Sequence, residues 1–456
     1  MIDLKGKKLL IIGGAAQHCK VVEAAHELGI ITYVTDYLPL EKAPAKQISD
    51  HYFMYNVTDI DEIVAACKAE NINGVISTNL DICQKPYQQV CEKLGFPCFG
   101  TKKQFDILTD KKLFKEYCRK SGVDTIPEYT EEDFSSEEVC KTNVSFPVIV
   151  KPGESRGSRG QTICQTYTET LTAIEFARSV SSNGRVVIEK YMGQNNDFSM
   201  SILMLNGKAY VTRTVDRVLG KYQDNLDRLC VGSATPSIFT DLYMNNVHKK
   251  VEKLYQDIGI VTAPLFMQGF VDGDTVRFYD PGLRFGGSEF ERVFYAVMGR
   301  NIYHPLIEYA LTGKISEDKY HFEYDDIYLK GKTVGQVFPT LRAGKITSIT
   351  GLDEIRKHPN TVCVFTRYGV GDTIEETHNV NQRFAEIYLA CEDNSEMKKM
   401  VEWVLDTLKV YGTDDTEQNR TEQNRTEQNR TEQNSDMLIS KYDTSIFANR
   451  IKVFGR

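Results

Sequence analysis

Apolar positions in the first hundred residues fall in short solid blocks separated by amphipathic stretches. "KKLLIIGGAA" reads as a strand buried on both faces and broken by a glycine turn. "KVVEAAHELG" reads as an amphipathic helix stopped at Gly29, "IITYVTD" as a second strand ending in Asp36, Asp61–Glu70 as a further helix and "GVISTN" as another strand. Such alternation predicts a doubly wound parallel sheet. Residues 101–125 hold one or two lysine-rich helices, expected to present a solvated face.

From Phe146 the pattern changes. A strand, a glycine loop, a second strand, a helix and the strand "RVVIEKYM" suggest an antiparallel α+β unit over 146–205. "DFSMSILMLNGKAYV" reads as a hairpin turning at Asn-Gly. "APLFMQGFVDGDTVRFYDPGLR" reads as a second, with Asp-Gly-Asp at its tip. A break near residue 320 opens a β-rich tail with a helix at Ser395–Leu408. The expected division is an α/β domain over 1–100, a central α+β domain over 101–320, and a small β-rich domain over 321–456. Thr416–Asn434 is a polar pentapeptide repeat, TEQNR, whose period matches neither helix nor strand. It is expected to be a disordered or loosely helical insertion.

Composition narrows the function classes. The 456 residues are 41% apolar and 26% charged, enough for about three packed domains. A net charge of −8 and a pI near 5.7 argue against broad nucleic-acid or membrane-surface binding, though not against a local basic pocket. Eleven scattered cysteines without a CxxC pair read as reduced thiols. The N-terminus lacks a signal-peptide pattern, and no apolar stretch approaches the roughly 18 residues that span a bilayer. A soluble, cytoplasmic protein is expected.

The candidate chemistry starts at "FPVIVKPGESRGSRGQ", Phe146–Gln161, where an apolar strand ends on Lys-Pro and breaks into glycine, serine and arginine. Glycine lets backbone N–H groups approach a ligand, and these groups with serine and arginine favour an anion such as phosphate. Lys151 precedes the glycines and a strand pattern follows them, so a Walker-A loop fits poorly. Gly13, Gly14 and Asp36 lack GxGxxG spacing, and a tight strand-to-helix turn explains them better. Asn79 and Asp81 follow a strand's C-terminal end, where such sheets bind ligands, and a plain helix cap explains them equally well.

Taken in order, Lys111 in "LTDKKLFKEY", Lys151 in "FPVIVKP", the loop "GESRGSRG", "VIEKYM", Asp197 in "DFSM" and "QGFVDGDTVRFYDPGLRFGG" resemble the ATP-grasp superfamily. Carbamoyl phosphate synthetase large subunits, D-alanine–D-alanine ligases and the smaller purine-pathway ligases are the nearest analogies, over residues 1 to about 320. The resemblance implies ATP held between two antiparallel sheets, and a carboxylate phosphorylated to an acylphosphate that an amine attacks. It implies that Lys111 and Lys151 hold the α- and β-phosphates. A lysine 4 Å from a phosphate is worth about 4 kcal/mol at an effective dielectric near 20. Glu154, Ser155, Gly157, Ser158 and Gly160 would belong to a lid over the phosphates, with Arg156 and Arg159 stabilising charge on the moving phosphoryl group. Glu189 would accept from the adenine amine, the Lys190 and Met192 backbones would complete that edge, Tyr191 and Met192 would flank the ring, and Asp197 would take the ribose.

By the same resemblance, Gln268 and Asp280 would hold Mg²⁺, or Mn²⁺ in its place. Here the chain departs from the pattern: the usual Glu-x-Asn-x-Arg is Asp280-Pro-Gly282-Leu-Arg284, and the asparagine is lost. Arg284 is the natural partner of a substrate carboxylate or acylphosphate, followed by Gly286, Gly287 and Arg292. Arg213 and Arg217 fall on a strand that could face the cleft; substrate contacts and surface ion pairs are equally open readings. The tail resembles the small β-domain that follows ATP-grasp cores. A biotin carboxylase fits less well, because no Met-Lys-Met carrier motif is visible. The resemblance implies small carboxylate and amine substrates and a homodimer. Three functions compete: a carboxylate–amine ligase, a bicarbonate-phosphorylating enzyme like carbamoyl phosphate synthetase, and a nucleotide-binding regulator disabled at Gly282.

Overall fold

The computed structural model describes residues 3–153, 160–193, 196–222, 225–377, 379–413 and 436–438. The loop 154–159 and the TEQNR repeat, each read above from sequence, lie outside the described residues.

The N-terminal apolar blocks form Lys8–Ile12 (β1), Ile31–Thr35 (β2), His51–Phe53 (β3) and Gly74–Ile76 (β4), paired in parallel in the order β3-β2-β1-β4. The last four residues of β1 and all of β4 are buried, as solid apolar runs in a two-sided sheet should be. The Gly14 N–H donates to Asp36 Oδ2 at 2.9 Å, and Leu38 N–H to Asp36 Oδ1 at 2.7 Å. Asp36 therefore ties the β1 turn to the end of β2, which is the strand-to-helix turn that the spacing favoured. Gly13 has φ +112°, and a Cβ there would lie 2.3 Å from the His18 ring. Gly13→Ala is expected to lower Tm by several degrees in a thermal melt.

The lysine-rich stretch forms two helices, Lys102–Thr109 and Lys111–Ser121. Asp110 caps the second by accepting from the Lys112 and Leu113 N–H groups, and Gly122 ends it in the left-handed region. A small antiparallel sheet follows: Glu128–Tyr129 (β5), Val148–Pro152 (β6), Thr162–Cys164 (β7) and Val186–Lys190 (β8), in the order β5-β8-β6-β7.

Asp197–Leu205 (β9), Lys208–Tyr222 (β10), Asn225–Thr235 (β11), Ala263–Asp272 (β12) and Thr275–Gly282 (β13) form the long hairpins. The tail supplies Thr333–Val337 (β14), Gly344–Thr350 (β15), Thr361–Thr366 (β16), Thr373–Ile374 (β17), Ala385–Cys391 (β18), Lys409–Thr413 (β19) and Asp436–Met437 (β20). Three tail strands do not stand apart. They extend the hairpins into one eight-stranded sheet, β13-β12-β9-β10-β11-β14-β18-β16, through antiparallel pairing of β11 with β14. The rest form a four-stranded sheet, β17-β15-β19-β20, while the helix Asn394–Thr407 packs on β14 and β18 of the large sheet. One apolar core runs from β1 and β2 through β9 and β12 to Tyr388, and separate cores serve the tail and the small sheet. The eleven cysteines are free thiols, and no described helix is long and apolar enough to cross a membrane.

Two buried histidines make stability pH-dependent. Burial holds His18 and His248 down to about 4, from an ordinary value of 6.5. Between pH 6.5 and 4 the unfolded chain binds protons that the folded rings refuse, so stability falls as pH falls through that window. Each ring accounts for up to about 3 kcal/mol. Urea denaturation at pH 7 and pH 4.5 should show the loss, and His248→Phe should lessen it.

Candidate active site

Cross-strand partners on a pleated sheet share a face. On the eight-stranded sheet, Asp280 opposes Gln268, Gln268 opposes Ser199, and Ser199 opposes Val215. Phe266 links Gly282 to Ser201, which opposes Arg213. Phe270 opposes Asp197. Farther on, Arg217 opposes Ser233, Ser233 opposes Gln336, and Gln336 opposes Tyr388. Arg213, Val215 and Arg217 alternate on one side of β10. The predicted residues Gln268, Asp280, Asp197, Arg213 and Arg217 therefore lie on a single face.

A register shift between Gln268 and Gly269 places a bulge at Tyr279. A bulge turns neighbouring side chains out of strict alternation. Burial pushes the Tyr279 hydroxyl up to about 12; Arg217 opposes this, while Asp197, Asp280 and Glu189 add to it. Tyr279 therefore lies within electrostatic reach of groups on both sheets. Its ring stacks on Phe270 at 5.3 Å.

The small sheet carries a second set of the predicted residues. Lys151 Nζ lies 2.5 Å from Glu189 Oε2, and Lys115 Nζ lies 3.7 Å from Glu189 Oε1 while also pairing with Glu128. Lys115 sits one helical turn after Lys111 but points inward, its side chain only 12% exposed, so this part of the lysine-rich face is not solvated. Lys111 is exposed, yet its charge and that of Arg284 oppose the upward push of burial on the Asp280 carboxyl. The Lys190 side chain turns to Asp272 at 3.3 Å, its N–H donates to Pro127 O, and the Tyr191 N–H donates to Pro147 O. Met192 is buried, and its carbonyl accepts from Asn196 Nδ2 at 2.5 Å. Gly160, where the chain re-enters the described residues, has φ +70° and abuts Pro152. Glu154, Ser155, Arg156, Gly157, Ser158 and Arg159 lie outside them.

The segment after β13 runs against the end of the N-terminal sheet. Arg284 lies over the Phe266 ring at 5.2 Å and is gripped by Asp81, with Nε 2.5 Å from Oδ1 and the other nitrogen 3.0 Å from Oδ2. Asn79, fully buried, donates to Gly286 O at 3.1 Å. Between them Leu80 has φ +62°, a strained value for a non-glycine residue. The open end of the parallel sheet is thus held against Arg284 and Gly286. Gly287 is exposed, with open space where a Cβ would stand. A Cβ at Gly282 would lie 3.2 Å from Arg284 Cγ, so the lost asparagine would crowd that arginine.

Arg292 is fully engaged by Glu23 and, at 3.0 Å, by Glu289. Beside it Lys20, 2% exposed, lies 2.5 Å from Glu291 and 3.8 Å from Glu289. This cluster braces the segment from within. Lys20→Met would strand buried carboxylates, and a cost of about 3–5 kcal/mol should appear in chemical denaturation.

Asp280 and Gln268 form a modest metal donor set, one carboxylate and one amide side by side. Among the described residues, no cluster of three or more His, Cys, Asp or Glu side chains is arranged to hold a metal. That set fits a Mg²⁺ ion that keeps waters and takes most of its oxygens from a nucleotide.

Residues 110–266 match the family "Carbamoyl-phosphate synthase L chain, ATP binding domain", and residues 336–411 match "L-amino acid ligase C-terminal domain 2". A formate-dependent phosphoribosylglycinamide formyltransferase from Haloquadratum walsbyi is 27% identical over 195 residues, covering 42% of this chain and 48% of the relative. The chain spans about half the length of the curated relatives it matches. Phosphoribosylglycinamide synthetase from Anaerococcus prevotii shares the fold with a TM-score of 0.71 at 17% identity, over 89% of this chain and 99% of that one. L-amino acid ligase from Bacillus licheniformis shares it with a TM-score of 0.69 at 17% identity, over 89% and 98%. With the two antiparallel sheets and the family matches on both sides of residue 320, the chain has the fold of the ATP-grasp ligases and is similar to that superfamily over residues 110–266 and 336–411.

Proposed function

We propose that this chain is an ATP-dependent ligase that phosphorylates a small carboxylic acid and joins the acyl group to an amine, releasing ADP and phosphate. One observation carries the reading: Glu189, paired with Lys151 on the small sheet, and Asp280, opposite Gln268 on the large one, both act on the Tyr279 hydroxyl. On this reading adenine lies against Glu189, Lys190, Tyr191 and Met192, and the ribose against Asp197. Lys111 and Lys151 neutralise the phosphates, for which Lys151 exchanges its contact with Glu189. Gln268 and Asp280 hold Mg²⁺, which supplies charge neutralisation at the transferring phosphoryl group. Arg284, pre-set by Asp81, faces the acid. An acid oxygen bonds to the γ-phosphorus as ADP leaves; the amine nitrogen then bonds to the acyl carbon as phosphate leaves. Positioning and electrostatics are the protein's share of this chemistry.

The test is to incubate the protein with MgATP, hydroxylamine and pooled small carboxylates. Hydroxylamine intercepts an acylphosphate whatever the natural amine. Acid-dependent hydroxamate and ADP are expected. ATP binding with no ADP released in any pool would overturn the reading and favour a regulator disabled at Gly282. The match to the carbamoyl-phosphate synthase ATP-binding family favours a second reading in which bicarbonate is the acid. Bicarbonate-dependent ADP release without hydroxamate would select it.

A further inference from the structure

The cysteine thiols are not alike. Only Cys19, Cys98 and Cys363 are partly exposed, and the others are buried. Burial pushes Cys19 up to about 11 and Cys363 up to about 12, where a thiol stays protonated and inert. Cys98 is shifted the other way, below the ordinary thiol value. The Cys91 thiol is the largest cause, and the Gly100 and Phe99 N–H groups and the Tyr87 hydroxyl add to it, against burial. Burial pushes Cys91, its fully buried partner, well above that value, and Cys98 adds to the push.

The chain makes this pair by folding back on itself. Cys91 lies in the last turn of the helix Asp81–Leu94, which Gly95 ends at φ +69°. The Phe96 N–H donates to Cys91 O at 3.0 Å, and the Phe99 N–H donates to the Tyr87 hydroxyl at 3.1 Å. Tyr87 and Cys91 are one helical turn apart, so the segment 96–99 lies along the face they share. The Phe99 ring meets Tyr87 at 5.5 Å and Tyr309 at 6.2 Å. Cys98 is thereby held with its thiol hydrogen-bonded to that of Cys91. Cys98 also lines a groove of about 410 Å³ with Glu92, Thr101, Gln104 and Val261, through which a small oxidant reaches it.

We propose that Cys91 and Cys98 are a modification site, closing to a reversible disulfide under peroxide and so loosening the hold on Arg284. The Cys98 sulfur attacks one peroxide oxygen. The O–O bond breaks, the other oxygen leaves as hydroxide and takes a proton to become water, and a sulfenic acid remains. The Cys91 sulfur then bonds to the Cys98 sulfur. The S–O bond breaks, and the hydroxyl leaves with the Cys91 proton as a second water. The thiols lose the two electrons that hydrogen peroxide gains. Both ends of the pair lead to Arg284. The helix that carries Cys91 begins at Asp81, which grips Arg284. The segment that carries Cys98 runs into Gly100, where a Cβ would lie 2.8 Å from Leu283 Cδ2, one residue before Arg284. A disulfide fixes its Cβ atoms about 3.8 Å apart, and the segment 95–100 must follow. This consequence rests on the ligase reading, in which Arg284 faces the acid.

The test treats the full-length protein with hydrogen peroxide, blocks the remaining thiols and digests it with trypsin. Peptides 69–93 and 94–102 should appear joined, two hydrogens lighter than their sum, and should separate with dithiothreitol. Cys98→Ser should abolish the link. Cys91→Ser should stop at a sulfenic acid that dimedone captures on Cys98. Oxidation of Cys19 or Cys363 ahead of Cys98 would overturn the pair, as would unlinked peptides from treated protein that still melts like the untreated. With an acid identified by the hydroxylamine trap, the oxidised protein should release ADP severalfold more slowly and recover on reduction, and Cys98→Ser should not respond to peroxide. Linked peptides with undiminished ADP release would overturn the tie to Arg284 and leave the ligase standing. A negative trap would overturn the ligase, and the linked peptides would still decide the disulfide.

Discussion

Lys151→Ala is expected to lower acid-dependent ADP release by about 1,000-fold while the protein still folds. The estimate follows from charge. One lysine near a phosphate at an effective dielectric near 20 is worth about 4 kcal/mol, and each 1.36 kcal/mol is tenfold in rate. Lys151 is a quarter exposed and its partner Glu189 is on the adjoining strand, so its removal costs little packing. It also frees Glu189, which Lys115 still reaches. The variant should therefore melt within a few degrees of the parent. Steady-state ADP release with the acid identified by trapping, alongside a thermal melt, checks both halves. Loss of activity together with loss of folding would assign Lys151 to structure instead.

Asp280→Asn is expected to act on the same step by a different route. Asp280 is the one carboxylate of the donor pair with Gln268, and Arg284 and Lys111 press their charge on it. Asparagine keeps the shape and the sheet register but removes the anion. The Mg²⁺ concentration for half-maximal turnover should rise 10- to 100-fold, and turnover at saturating Mg²⁺ should fall at least 100-fold. Titrating Mg²⁺ against ADP release separates the two effects. An unchanged Mg²⁺ dependence would mean that the nucleotide alone carries the ion.

Much of this was readable in the chain because its cause is local. The Asn206-Gly207 turn has φ +48° and +82°, as a tight two-residue hairpin requires, and both hairpins stand where alternation and turn residues put them. Lys151 at a strand end before Pro-Gly, and Gln268 with Asp280 across a short hairpin, follow from the same local signals. What was not readable depends on pairing between distant strands. Nothing in the local pattern says that β14 joins β11 a hundred residues earlier, so the contact of Gln336 with Arg213 carried no signal. Tyr279 needed a bulge, which period-2 alternation hides. Lys115 looked like one more lysine on a wet helix until Glu128 and Glu189 were seen to face it. Asp81 was noticed as a helix cap or ligand contact, but its grip on Arg284 depends on two elements 203 residues apart.

The pairing of β11 with β14 also limits how such proteins can be recombined. A chain ended before Thr333 would expose a row of unpaired backbone groups along β11, an invitation to aggregation rather than a smaller enzyme. A graft that exchanged tails between relatives would have to match strand register at Ser233 and Gln336, and would have to supply the acceptor at position 336 that holds Arg213. The surroundings of Arg213 and the seam of the fold would then be inherited together, so change along this face is better accommodated by substitution on β10 and β14 than by exchanging whole modules.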